Sequence, residues 1–247
     1  MAEYQTLPKV PITEALIDIR IKVRDDLKVE QLESIYNLIS GQYFDKKARH
    51  KWESKFEFKK GEPSVSSGSE TIDGYVFTST DQKQIFQARL DGFTFSRLKP
   101  YETWDHLRSE AHKLWLKYKE ITSPEITRVA LRFINKIEIP LQDVKEFNEY
   151  LIAAPIVPKG LPQGVSSFLT RVVIHESEID AVAIITQALE KIVNPNFLPI
   201  ILDIDVFKQK SEGISEEDAW ETLEKLRHFK NKIFFESITE KAKELFL

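Results

Sequence analysis

The chain has 247 residues, with 35 lysines and arginines against 39 aspartates and glutamates, and its 42% hydrophobic and 11% aromatic content describes a well-filled globule, not a disordered chain. The absence of cysteine excludes a disulfide framework, a thiolate zinc site and cysteine-nucleophile chemistry, and it fits a reducing compartment, the cytoplasm. A formal charge of -4 with both signs interspersed lacks the basic excess of a duplex-binding module, so dedicated nucleic-acid binding is disfavoured.

The N-terminal "MAEYQTLPKVPITEALIDIRIKV" has no signal-peptide pattern, and no segment approaches the roughly 18 uncharged apolar residues of a membrane span, so a soluble protein is expected. Within it, Leu16, Asp18, Arg20 and Lys22 alternate with Ile17, Ile19, Ile21 and Val23, the period of a strand with one apolar face. Beyond the polar "RDDLK" turn, Val29, Leu32, Ile35, Tyr36 and Ile39 recur at helical spacing, with Gly41 as a C-cap. "KWESKFEFK" places Trp52, Ser54, Phe56 and Phe58 on one face of a strand, and "GEPSVSSGSE" reads as a loop. "TIDGYVFTSTD" and "KQIFQARLDGFTFSRL" read as two strands joined at "STDQK", and "PYETWDHLRSEAHKLWLKYKE" as a helix.

The second half repeats this order. "EITRVALRFINKIEIP" is a long strand and "LQDVKEFNEYLIAA" a short helix. "VSSFLTRVVIHE", "DAVAIITQALEKI" and "FLPIILDIDVFKQK" are three strands, and a helical region runs from "ISEEDAWETLEKLRHF" to the C-terminus behind Ser215 and Asp218, a capping-box-like pair. The Pro/Gly-rich "APIVPKGLPQG" is a rim loop. The expected fold is α+β: two similar halves, 1–123 and 124–247, each strand, helix, three strands, helix. They form curved antiparallel sheet with helices on one face, TATA-binding-protein-like or helix-grip-like, either as two domains or as one continuous domain.

Candidate functional residues cluster at junctions. In "GFTFSRL", Arg97 follows Phe93 and Phe95 towards the core and needs a carboxylate, a carbonyl or an anionic ligand. Pro100 suits a first helical position, and Trp104, Leu107, Ala111, Leu114, Trp115 and Tyr118 form a stripe best explained as core. Asn135 interrupts the apolar face of Val129, Leu131, Phe133, Ile137 and Ile139, so it either pins neighbouring backbone or lines a polar pocket. Arg128, Arg132 and Lys136 lie on the opposite face. Arg97, Tyr101, Trp104, Arg132 and Asn135 are therefore the candidate ligand-binding set.

Asp203 and Asp205 project from one strand face at a spacing that can serve a divalent cation, although carboxylate pairs on exposed strands are common. The histidines at 50, 106, 112, 175 and 228 show no zinc spacing, and no phosphate-cradling glycine loop or nucleophile elbow is present, so no cofactor is expected. Phe229, Phe234, Phe235 and Phe246 widen the C-terminal apolar stripe, which either covers the sheet or forms a homodimer or partner interface.

"LPKVPITEALIDIR", "FSRLKPYETW", "RVALRFINKIEIP" and "FKNKIFFESITEKAKELF" together resemble a family of uncharacterised, sporadically distributed prokaryotic proteins of about this length, with "FSRL-x-PY-x-x-W" and "LRFIN" its most distinctive parts. The resemblance spans nearly the whole chain and implies a prokaryotic cytosolic protein with a self-contained fold, but no catalytic roles. The leading expectation is a non-enzymatic binding or assembly module, acting as a homodimer or with a protein encoded beside it. The alternatives are a metal-dependent phosphodiesterase or nuclease built on Asp203 and Asp205, or small anionic ligand binding in a cavity between sheet and helix.

Overall fold

The computed structural model describes residues 7–56, 66–143 and 146–247. Its strands are β1 (Ile12–Ile21), β2 (Tyr43–Phe56), β3 (Ser66–Ser79), β4 (Gln84–Arg89), β5 (Gly92–Leu98), β6 (Ile126–Pro140), β7 (Leu169–Glu176), β8 (Ala181–Leu189) and β9 (Phe197–Ile214). Its helices are α1 (Val29–Glu33), α2 (Tyr36–Ile39), α3 (Trp104–Thr122), α4 (Glu216–Ser237) and α5 (Glu240–Glu244). The nine strands of the described residues join one antiparallel sheet in the order β2-β3-β4-β5-β1-β6-β9-β8-β7. The fold is α+β, with the helices on one face, and no helix among the described residues is long and apolar enough to cross a membrane.

The alternation in β1 decides which face is which. Ile17 and Ile19 are buried and lie level with Phe95 and Phe93 of β5 on one side and with Leu131 and Val129 of β6 on the other. Side chains directly opposite in a ladder share a face, so these residues continue one apolar surface. Phe77, Phe86, Leu202, Ile204 and Val206 extend it. α3 lies over β5 and β1, and α4 over β6 and β9. Trp115 and Tyr118 of α3 seat on Phe93, with the Trp115 ring edge-on at 5.7 Å.

α3 and α4 run antiparallel, held across their seam by polar contacts. The Trp104 and Trp115 indoles donate to Glu224 (2.6 Å) and Glu216 (3.2 Å), and Lys119 pairs with Glu216 at 2.8 Å. The stripe from Trp104 to Tyr118 is core, as its spacing predicts.

Several boundaries differ from the sequence pattern, each for a local reason. The helix expected over 29–39 is two short helices, because Ser34, Ile35, Asn37 and Leu38 bond three residues back, the tighter 3-10 pattern. The strand expected over "KQIFQARLDGFTFSRL" turns back at Leu90 and Asp91, so the first half carries four strands after its helices, not three. Gly92 makes that hairpin possible: a Cβ there would lie 2.4 Å from the Ile19 carbonyl oxygen.

α3 starts at Trp104 rather than Pro100, because the Thr103 hydroxyl accepts from the His106 backbone N–H at 3.2 Å and caps the helix there. The short helix expected over "LQDVKEFNEYLIAA" appears as two 3-10 turns, Leu141–Asp143 and Phe147–Glu149. Ser215 caps α4 as its spacing predicts, by accepting from the Asp218 N–H. The C-terminal stripe breaks at Ile238, which is extended and bridges to Leu151 before α5 begins.

Of the "GEPSVSSGSE" loop, Ser66–Glu70 belong to β3 and the remainder lies outside the described residues, as does Phe58.

Candidate functional site

A cavity of about 340 Å³ opens where α3 begins and α4 runs past it. Tyr101, Glu102, Thr103 and Trp104 form one wall, Arg227, Lys230, Asn231, Phe234 and Phe235 of α4 another, Phe133 and Asn135 of β6 the floor, and the N-terminal segment from Leu7 to Ile12 the rim. The rim is fastened where the Lys9 N–H donates to the Phe246 carbonyl at 3.0 Å and where the Pro11 carbonyl accepts from the Lys136 N–H at 2.8 Å. Beneath it, the β1–β6 ladder slips by a residue between Ile12 and Glu14, opposite Asn135. Such a bulge re-aims side chains at the edge of a site.

Three of the five candidate ligand-binding residues meet here. Tyr101 stacks edge-on against Phe133 at 5.5 Å, and burial pushes its phenol pKa above the ordinary value. Trp104 presents its ring to the Arg227 guanidinium at 5.6 Å. Asn135 does both things its position allows: Nδ2 donates to the Leu202 carbonyl at 3.0 Å, pinning β9, and the residue lines the cavity.

The other two are elsewhere. Arg97 faces the core beside the cavity and is 6% exposed; its partners are the Glu102 carboxylate at 2.5 Å and Asp81 at 3.6 Å. Arg132 lies on the opposite, helix-free face, in a bidentate pair with Asp203 at 2.8 and 2.5 Å.

Lys230 is the residue that the sequence reading passed over. It is 8% exposed, and its Nζ sits 3.9 Å from the centroid of the Phe133 ring. Among the described residues no carboxylate pairs with it, and the charge acting on it is that of Arg227, one helical turn away. Desolvation, reinforced by that like charge, brings the Lys230 pKa down to about 7. A signal was present: Lys230 stands four residues after Leu226 and four before Phe234, inside the apolar stripe of α4.

The helix-free face is built differently. Asp18 at its centre accepts from Arg89 (2.9 Å), Arg128 (2.9 Å), Arg20 (3.2 Å) and Thr94 (2.8 Å). Burial alone would raise the Asp18 pKa; Arg89, Arg20 and these hydrogen bonds hold it below the usual carboxylate value. Asp91 pairs with Arg89 and Arg20. Asp205 is approached by Arg128 at 3.4 Å, and its pKa is raised because burial outweighs the arginines.

Asp203 and Asp205 thus share a face, as expected, but each faces a guanidinium. Among the described residues no group of three or more histidines, aspartates or glutamates stands together as a metal site. Of the candidate interface residues, Phe229, Phe234 and Phe246 are buried within the chain itself, and only Phe235 remains partly exposed, on the cavity wall.

No protein-family model matches the chain, and no curated protein matches its sequence. Among solved structures it shows a likeness to the di-domain ARO/CYC StfQ from the steffimycin biosynthetic pathway, at 8% identity over 94% of this chain and 97% of that one, with a TM-score of 0.19 too low to carry an argument.

Proposed function

We propose that the protein is a non-enzymatic binding module whose cavity between sheet and helices takes a small molecule bearing an acid group. One observation carries the reading: Lys230 is buried on the cavity wall, and no carboxylate among the described residues pairs with it. Folding a charged amine into such a place costs free energy, and an anion arriving from outside recovers part of that cost. Arg227, Asn135 and Asn231 add donors around the same space, and the aromatic walls exclude water.

The test is thermal unfolding across a panel of small carboxylic and phosphoric acids. A ligand of the native state raises the midpoint progressively, as the logarithm of its concentration above the dissociation constant. The expected result is a rise that Lys230→Met abolishes. A rise of equal size in that variant would sink the reading.

A second reading, assembly, is favoured by β7. The two sheet edges are unlike: β2 sets Lys46, Lys47, Arg49 and Lys51 between its exposed Phe44 and Trp52, whereas β7 exposes an apolar run of Leu169 (72%), Val172 (51%) and Val173 (47%). Charged edges resist strand addition and apolar ones invite it. A homodimer that continues the sheet antiparallel across a twofold at Val173 sets the run 172–174 against its own copy. Light scattering checks it: a dimer that Val173→Lys turns into a monomer is the expected result, and a monomer at high concentration rejects it.

We also infer that 1–123 and 124–247 are duplicated halves in the manner of TATA-binding-protein-like folds. The support is that each half sets its first strand beside its last, β1 beside β5 and β6 beside β9, and that β1 and β6 meet at the centre. The cysteine-free sequence and the family resemblance support a prokaryotic cytosolic setting.

A further inference from the structure

We propose that Lys230 is a nucleophilic amine that captures the carbonyl group of a small oxo acid as an imine. The inference deepens the binding reading above and rests on it. A lysine becomes a useful nucleophile when it is desolvated, lacks a counter-ion and has another cation nearby, because each condition favours the uncharged amine.

Lys230 meets all three. It is enclosed by Phe133, which offers a ring face instead of a carboxylate. The carboxylates on the cavity wall or in contact with its lining residues are already engaged. Glu102, in the segment before α3, is held by Arg97 and lies 3.7 Å from His106. Glu224 takes the Trp104 indole N–H and contacts Arg108 and Arg227 at 3.4 and 3.5 Å. Tyr101 stays a neutral phenol. What remains beside the amine is Arg227, on the same helix, whose charge disfavours a second cation. A pKa of about 7 leaves a large share of the amine free at neutral pH, whereas an ordinary lysine has less than about a thousandth.

The chemistry balances without a co-reactant. The Nζ lone pair adds to the carbonyl carbon, the carbonyl π pair moves to oxygen, and transfer of a proton from nitrogen to that oxygen gives a carbinolamine. Loss of its hydroxyl as water leaves the imine. The acid group explains why an oxo acid fits better than a simple aldehyde: Arg227 lines the same cavity and contributes a permanent cation. A volume of about 340 Å³ admits a compound of a few carbons with room to spare.

The experiment incubates the full chain near pH 7 with pyruvate or glyoxylate and cyanoborohydride, then reads intact mass and maps the modified peptide. The expected result is one reduced adduct per chain, on Lys230, absent from Lys230→Met and Lys230→Arg. Lactate, which has the acid but no ketone, raises the unfolding midpoint and leaves no adduct. Arg227→Gln removes the like charge, so the pH midpoint of adduct formation moves upward. Adducts scattered over surface lysines, or none on Lys230, would overturn the imine. If lactate and pyruvate still stabilise the native protein in that case, the binding reading survives alone. If neither acid shifts unfolding and no adduct forms, both fall.

Discussion

The two faces of the sheet handle buried charge in opposite ways. On the helix-free face Arg20, Arg89 and Arg128 are set against Asp18, Asp91 and Asp205 in a connected lattice, and Arg132 pairs with Asp203 beside it. On the helix face Lys230 has no such partner among the described residues. A closed lattice asks nothing of a ligand, because every charge has its counterpart inside the chain. An unmatched amine in a cavity does. The arginine-rich face, which looks more functional in sequence, is therefore better explained by stability.

Breaking the lattice at its centre has the largest expected effect. Asp18→Ala takes one carboxylate partner each from the guanidiniums of Arg89 and Arg128, and loss of one partner from a buried pair costs about 3–5 kcal/mol. Urea unfolding checks it, and a loss under about 1 kcal/mol would show that the lattice does not hold the sheet. The pH dependence has a definite sign. The Asp18 pKa is lowered in the folded state, so its contribution is fully present above the ordinary carboxylate value and disappears as pH falls through the folded value.

Lys230→Met works the other way and is expected to stabilise by roughly 3 kcal/mol at neutral pH, by removing a desolvated amine from an apolar wall. Here the sign is reversed. The unfolded chain holds the lysine proton up to its ordinary pKa of 10.5 while the folded chain releases it near 7, so wild-type stability rises with pH between those values. The variant should lose that rise, and a Tm–pH profile parallel to wild type would contradict the assignment. Arg132→Ala, in the half-exposed pair beside the lattice, should cost no more than about 1 kcal/mol. A loss as large as that of Asp18→Ala would mean that the pairs act as one unit, which a double mutant would confirm.

How much was legible follows the range of the interactions concerned. The faces of β1, β6 and α3 were readable because period-2 and helical spacing record burial residue by residue. The α+β class and the single helix-bearing face followed from the order of those elements. The β4–β5 hairpin was hidden, since nothing in "ARLDGF" says that the Gly92 backbone must lie against Ile19, over seventy residues away in sequence. Asn135 was marked by its interruption of an apolar face, and Tyr101 and Trp104 by the density of chemistry before α3. Lys230 was passed over because a lysine on a helix ordinarily points into water, and only the arrival of Phe133 and the N-terminal segment encloses this one.

The sequence by itself determined which residues turn inward, where charge alternates with apolar side chains, and the absence of thiol chemistry. Those properties are local, set by side-chain type and by the backbone period that spaces it. The tertiary structure alone decided which charges find partners. Asp203 and Asp205, two residues apart on β9, meet different arginines because β6 lies in register beside them, and Lys230 meets none because the elements packed around it offer an aromatic ring where a carboxylate would pair. Pairing of charge depends on distances of a few ångströms between segments far apart in the chain, and only the folded chain sets those distances.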